Sequence, residues 1–285
     1  MAQGRARSTA AAACMLAAAV AAGPGAAAGL PDIPTPYLAS THVAVDEMLR
    51  LAEVRAEDLV VDLGSGDGRV VIAAARDWGA RGLGIEIDPA LVEESRANAR
   101  RAGVAERVEF RHGDVLTADL RAGTVVTMYL LTPLVERLKP RLLAELRPGT
   151  RIVAHDYGFS DWKADRRVTI SKTYYLYVVP AQVAGRWQLT ATLPGGEGEY
   201  ELRLEQRYQE IRGGAHLSGG FLPAFEARLS GDRIQFVLVT GQTSHRFEGQ
   251  VRGAAMEGVV RSGTGPQLVA SRWRATRIVS GAEEG

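Results

Sequence analysis

Cysteine is all but absent. The 285 residues contain one, Cys14, so neither an internal disulfide nor a cysteine-built zinc site can hold this chain together. An excess of either charge is also missing. Lys plus Arg number 34 and Asp plus Glu 33, a formal net charge of +1, which creates no overall field toward nucleic acid or an anionic membrane, and no nucleic-acid partner is expected. Beyond residue 30, no apolar run approaches the roughly 20 residues of a membrane span. His216 and His245 stand alone, without metal-ligand spacing, and no metal site is expected. What remains, 46% hydrophobic and 24% charged residues, is a globular mix, and the chain is long enough for two domains.

Residues 1–28 are set apart. Arg5 and Arg7 precede an Ala-rich run from Thr9 to Ala22, and Gly23-Pro24-Gly25 and Ala26-Ala27-Ala28 follow. A basic start, an apolar middle and a small-residue end are the order of a secretory signal peptide. Export, or anchoring by an uncleaved segment, is therefore expected, with a cytoplasmic chain as the alternative. Residues 29–42 form an arm whose Pro31, Pro34 and Pro36 exclude regular helix and central strand. Ser40 or Thr41 is placed to cap a helix carrying Val43, Val45, Met48, Leu49 and Leu51.

Residues 43–182 read as alternating strands and helices. Leu59-Val60-Val61 and Leu63 make a short buried strand that runs into Gly64-Ser65-Gly66-Asp67-Gly68, and a helix-compatible run from Val70 to Ala75 follows. Further strands are expected at Arg81 to Glu86, Val108 to His112, Val125 to Leu131 and Arg151 to Ala154. Asp88-Pro89 opens one of the intervening helices. Val168 to Ser171 and Tyr174 to Val179 leave no room for a helix between them and read as a hairpin. The pattern predicts a doubly wound, mostly parallel α/β sheet with its ligand outside the carboxyl ends of the strands. Residues 183–285 change grammar to seven short strands between Trp187 and Trp273, separated by Gly-rich turns that include Gly213-Gly214 and Gly219-Gly220. An all-β antiparallel sandwich or small barrel is expected there.

The chemistry concentrates at the strand ends. A dinucleotide loop wants G-x-G-x-x-G, but here the third glycine comes one residue early and Arg69 takes its place. Gly64 and Gly66 let a ligand approach the backbone closely. Glu86, 22 residues beyond Gly64, can accept from ribose hydroxyls. Asp62 can anchor an amino group or brace the loop.

Asp62 to Gly68, Glu86 and Gly113-Asp114 at three successive strand ends resemble the class I S-adenosylmethionine-dependent methyltransferases. Over about Pro31 to Pro180 the similarity is closer still, to the lysine methyltransferases of the ATP synthase c subunit and their bacterial relatives. It rests on the arm with Tyr37 and Thr41, Asp114 with Asp119-Leu120, Tyr129-Leu130-Leu131, Leu146 to Gly149, and His155-Asp156 with Trp162. The resemblance implies a Rossmann-like domain that binds S-adenosylmethionine through Tyr37, Thr41, Asp62, Gly64, Ser65, Gly66, Glu86, Asp114 and Val115, with Asp114 near the adenine amino group. It implies N-methylation of a protein lysine. Where many amine methylases carry Asn/Asp-Pro-Pro-Tyr/Phe, this chain has Met128-Tyr129-Leu130-Leu131. Tyr129 is taken as the acceptor-site residue, with His155, Asp156 and Trp162 at the rim. Small-molecule methylation and a non-catalytic exported binding protein are the alternatives. The 183–285 region carries no motif that converts into chemistry.

Overall fold

A computed structural model of the chain describes residues 40–217, 220–264 and 267–278. The signal-like segment 1–28, Tyr37 and most of the Pro-rich arm lie outside the described residues. The described chain starts at Ser40, and Thr41 caps α1 (His42–Leu51) by accepting from the Ala44 amide at 3.2 Å.

The first sheet has seven strands: β1 (Leu59–Leu63), β2 (Arg81–Glu86), β3 (Val108–His112), β4 (Val125–Met128), β5 (Arg151–His155), β6 (Arg166–Thr169) and β7 (Thr173–Val178). They lie in the order β3-β2-β1-β4-β5-β7-β6. All pairs through β5 are parallel, and β7 runs antiparallel to both β5 and β6. The expected hairpin thus closes one edge. Because β1 and β4 leave in opposite directions across the sheet, their carboxyl ends flank a crevice at the point where the strand order reverses.

Each face buries its own core. On one side α1, α2 (Arg69–Trp78) and α3 (Pro89–Arg101) cover Val60, Val125, Val153, Tyr174 and Phe110. On the other, α4 (Thr132–Glu145) covers Val61, Leu63, Val126, Met128 and Ile152. The alternation along β1, Val60 to one core and Val61 to the other, is why the strand reads as an unbroken apolar run. Asp88 caps α3 through the Ala90 amide at 2.8 Å, as its Asp-Pro start predicts.

Gly68, early for a dinucleotide loop, is fixed by packing. It sits at φ 81°, and a Cβ there would lie 2.6 Å from the Phe110 ring and 2.8 Å from Ser95 Cβ. Gly68→Ala combines left-handed strain with a clash against two buried side chains. It is expected to cost about 2–4 kcal/mol, seen as a drop of roughly 5–10 °C in thermal unfolding. An unchanged unfolding temperature would contradict this packing account.

The second sheet is wholly antiparallel and has nine strands: β8 (Gly185–Leu193), β9 (Gly196–Arg207), β10 (Glu210–Leu217), β11 (Gly220–Pro223), β12 (Phe225–Ser230), β13 (Arg233–Thr240), β14 (Thr243–Arg252), β15 (Ala255–Thr264) and β16 (Gln267–Arg277). Its last strand pairs with its first. The two edge strands, β11 and β12, continue one another along 220–230, the first part paired to β10 and the second to β13. The sheet is a nearly closed barrel around Trp187, Leu202, Phe236, Phe247, Val260 and Trp273.

The seven strands expected here omitted β10 and β11, because Gly213-Gly214 reads as a turn. Both glycines lie inside β10 instead. A Cβ on Gly213 would come 1.9 Å from the Arg203 carbonyl oxygen, and one on Gly214 2.1 Å from that of Leu222. The glycines mark close backbone approach within the barrel wall.

Candidate active site

The glycine loop leaves β1 with Gly64, Gly66 and Gly68 at φ 76°, 53° and 81°. The Gly64 and Ser65 amides donate to the Ile85 carbonyl at 2.9 and 3.0 Å, which ties the loop to β2. Glu86 closes β2 and is buried. Its Oε2 accepts from the Gly66 amide at 2.8 Å, and its Oε1 accepts from the Ile87 and Asp88 amides at 2.8 and 3.0 Å. A carboxylate offers about four acceptor sites, and three are taken. Two ribose hydroxyls therefore cannot both be accepted unless a backbone amide is released, which corrects the simple expectation for this residue.

Asp62, at the end of β1, is also buried and accepts from the Thr127 hydroxyl at 2.7 Å. Burial raises its carboxyl to about 7; the Thr127 bond works against that, and the neighbouring charges of Glu86 and Asp67 add to it. Asp67 holds Arg69 in a bidentate pair, Nε to Oδ1 at 2.8 Å and Nη2 to Oδ2 at 2.5 Å. Arg69 in turn donates to the Ser40 carbonyl at 2.5 Å, so the arm is tied to the loop where it enters the fold.

Three further expected contacts are placed differently. The Ser65 side chain is buried against Gly84, where an added Cβ would meet its Oγ at 2.6 Å. Its hydroxyl has no hydrogen-bond partner among the described residues and points into the sheet rather than out of the loop. Val115 has its side chain in the core and its carbonyl accepting from Arg141 at 3.1 Å. Asp114 is exposed and caps the following turn, with Oδ1 accepting from the Leu116 amide at 2.8 Å. Ile87, next to Glu86, was not expected from the sequence. It is 68% exposed beside the loop, and a lone apolar residue among acids at a strand end was the available signal.

Across the crevice stands a row of rings. Tyr129 follows β4 and stacks on His155, which ends β5, with centroids 4.0 Å apart. Tyr157 lies 6.2 Å beyond Tyr129, and Tyr174 5.0 Å beyond His155. His155 is buried; its Nδ1 is 3.2 Å from the Ser40 hydroxyl, and its Nε2 has no hydrogen-bond partner among the described residues. Burial lowers its pKa, so the imidazole is neutral at physiological pH. Burial likewise raises the Tyr129 phenol, which stays protonated.

Asp156 follows with φ 60°, rare for a side-chain-bearing residue. Its Oδ2 accepts from Lys172 Nζ at 2.7 Å and lies 3.4 Å from the Tyr129 hydroxyl, while its Oδ1 accepts from the Thr173 amide at 3.2 Å. Burial alone would raise this carboxyl, but the Lys172 ammonium and the Thr173 amide hold it below its ordinary value. Trp162 does not join the row. It is 1% exposed in the core on the α4 face, and its indole donates to Gln209 at 2.8 Å. The rim expectation for Trp162 fails because a large apolar ring was needed where the two sheets meet.

The loop amides would attract a phosphate, but Glu86 takes the Gly66 N–H, and Asp62, Asp67 and Glu86 lie close enough for their charges to couple. A pyrophosphate would meet these carboxylates; a nucleoside with a cationic tail is drawn to them. S-adenosylmethionine, a sulfonium with an ammonium, has that form, and the strand order is that of the class I methyltransferases that use it.

Known proteins lead to the same class. Residues 62–166 match the family model described as the ANTKMT methyltransferase domain. A protein-lysine N-methyltransferase of Saccharolobus islandicus is 39% identical over 150 residues, 50% of this chain and 93% of that protein. The Mus musculus lysine N-methyltransferase named for the c subunit of ATP synthase is 35% identical over 130 residues, 46% of this chain and 52% of that one; the chain spans about half the length of such animal relatives. An RNA methyltransferase from Salinibacter ruber, solved with S-adenosyl-L-homocysteine, is 49% identical with a TM-score of 0.51, and the match covers 51% of this chain and 96% of that one. The chain belongs to this family of S-adenosylmethionine-dependent methyltransferases.

Proposed function

We propose that this enzyme N-methylates a lysine side chain of a protein. The observation that carries the reading is the pairing of Lys172 with Asp156 beside Tyr129: a lysine ammonium of the chain itself already rests at the carboxyl ends of β4 and β5. An incoming lysine takes the place of Lys172 on Asp156 and lies along the Tyr129 ring. The names of the archaeal and animal relatives support the same acceptor.

The residues divide the work. Asp62, Glu86 and the glycine loop hold the methyl donor, which when bound supplies an electrophilic methyl on a sulfonium. Tyr129 and Tyr157 strip water from the acceptor amine while Tyr174, buried in the core, backs His155, and desolvation favours the neutral amine. His155, neutral and with Nε2 unpartnered, can receive the proton that the ammonium must lose. Alignment and exclusion of water do the rest.

The test is incorporation of labelled methyl from S-adenosylmethionine into membrane and soluble protein fractions, followed by hydrolysis and amino-acid analysis. Methyl-lysine is the expected product. Label confined to small molecules or nucleic acid would overturn the reading. In a binding titration, S-adenosylmethionine is expected to saturate and NAD not. Glu86→Ala, which also frees the Gly66, Ile87 and Asp88 amides, is expected to weaken donor binding about 10- to 100-fold. The order of residues 1–28 further supports an enzyme exported or held at a membrane by its N-terminus, which N-terminal sequencing with cell fractionation would check.

A further inference from the structure

We propose that Lys172 is itself a methylation site, modified in cis by its own active site. Lysine is scarce in this chain. Of the 34 basic residues, 31 are arginine and three are lysine: Lys139, Lys163 and Lys172. Lys139 is locked on α4 between Glu136 and Asp161. Lys163 lies on the barrel side, where its carbonyl accepts from Gln209 at 2.6 Å. Lys172 is the one that stands at the acceptor wall.

The fold delivers it there. β7 starts beside the end of β5, with Tyr174 opposite His155, so the turn before β7 lies at the carboxyl ends of the parallel strands. The Ile170 amide closes that turn by donating to the Lys172 carbonyl at 3.0 Å. The next residue is fastened to Asp156 twice: the Asp156 amide donates to the Thr173 carbonyl at 2.7 Å, and the Thr173 amide donates to Asp156 Oδ1 at 3.2 Å. From this base Lys172 Nζ reaches Asp156 Oδ2, the oxygen nearest the Tyr129 hydroxyl. Its side chain is 50% exposed, which leaves the stem room to swing.

Neutralising Asp156 does not require lysine. Arginine grips carboxylates with two bonds and stays charged, as Arg69, Arg76 and Arg121 do on Asp67, Asp77 and Asp119. Lysine alone keeps a nitrogen that can lose its proton and become a nucleophile. In its seat that nitrogen rests unreactive, because the Asp156 bond raises the ammonium above its ordinary value. Since β4 lies between β5 and β1, the crevice between β1 and β4 is one to two strand spacings away, roughly 5–10 Å. Leaving Asp156 to pass Tyr129 removes the carboxylate and water together, and both losses favour the neutral amine. The proton shed passes to His155 Nε2. The Nζ lone pair then attacks the methyl carbon of the donor; the carbon–sulfur bond breaks with its pair going to sulfur, and methyl-lysine and S-adenosylhomocysteine result. A lysine tethered this close competes at an effective concentration on the order of millimolar.

The experiment incubates the full chain with S-adenosylmethionine carrying a deuterated methyl group. Cleavage after arginine releases residues 168–186, whose only lysine is Lys172. Mass spectrometry should find heavy methyl on that peptide, at a rate per chain that dilution does not change, while Lys139 and Lys163 stay unmodified. Glu86→Ala should be modified at least about tenfold more slowly, in line with its weakened donor binding. A second readout needs no donor: under trace acetic anhydride Lys172 should react more slowly than Lys163, and Asp156→Asn should remove that protection. An unmodified 168–186 peptide, a rate that falls on dilution, or a Lys172 as reactive as Lys163 in the parent protein would each overturn the proposal. It rests on the lysine-directed reading above, and their failures differ. Methyl-lysine in other proteins beside an unmodified Lys172 sinks self-methylation alone, whereas label confined to small molecules or nucleic acid sinks both.

Discussion

At pH 8, Asp62→Asn is expected to make the cofactor-free protein more stable while weakening its grip on S-adenosylmethionine about a hundredfold. Both effects have one cause. The Asp62 carboxyl is buried, and burial lifts its pKa to about 7. In the unfolded chain it titrates near 3.9. Between those values the folded protein binds the extra proton, so this residue's contribution to stability falls as pH rises from about 4 to about 7 and is flat above. Asparagine removes the charge and keeps an acceptor for the Thr127 hydroxyl, but leaves a buried NH2 to satisfy. A net gain of about 1–3 kcal/mol at pH 8 is expected, and with it the loss of the stability slope between pH 4 and 7.

The donor supplies the missing partner. A bound cation favours the ionised Asp62, so the parent protein should bind the donor more weakly as pH falls below 7, by up to tenfold per unit, and take up the ligand with release of a proton. The variant should show neither the slope nor the proton release. Removing one partner of a buried charge pair typically costs 2–5 kcal/mol, which sets the hundredfold loss. Thermal unfolding and calorimetric titration from pH 5 to 8 measure both. If the two proteins share one pH profile, Asp62 does not carry the charge assigned to it.

The parts of the molecule legible in the sequence are those governed by local backbone rules. The strand at Val60, its glycine loop, the Asp88-Pro89 helix start and the closing hairpin at Lys172 each follow from periodicity, capping or turn chemistry within a few residues. The readings that shifted depend on distant partners. Gly213 and Gly214 read as a turn because the Arg203 and Leu222 carbonyls that demand glycine lie in other strands. Ser65 suggests a ligand contact until Gly84 is seen to hold its side chain. Trp162 sits near His155 in sequence but on the opposite face of the sheet, because the chain between β5 and β6 crosses the edge of the sheet to seal it against the barrel. The tie of Ser40 to both Arg69 and His155, which joins the arm to the donor loop and the acceptor wall, spans 29 and 115 residues, and no local signal announces it.

The ring row gives the second large effect. Tyr129→Ala is expected to lower kcat/KM for a protein acceptor by about 100- to 1,000-fold, or roughly 3–4 kcal/mol of transition-state stabilisation, with donor affinity unchanged. The tyrosine is half-buried rather than in the core, and its ring packs 4.0 Å from a histidine that is itself buried. Its loss opens the acceptor passage to water and leaves His155 stacked on Tyr174 alone. Tyr129→Phe separates ring from hydroxyl. The hydroxyl's contact with Asp156 is long, 3.4 Å, so most activity should survive in Phe while Ala loses it. His155→Gln should flatten the acid limb of the rate profile if the imidazole takes the acceptor's proton, because burial holds its pKa below the ordinary value and protonation would otherwise switch the base off at the low end of the range. Lys172→Ala should act in the opposite sense: with the resident ammonium gone from Asp156, KM for the protein acceptor should fall while kcat stays near that of the parent. A Tyr129→Ala enzyme with full turnover, or a Lys172→Ala enzyme with a raised KM, would remove the acceptor from this row and require another entrance to the crevice between β1 and β4.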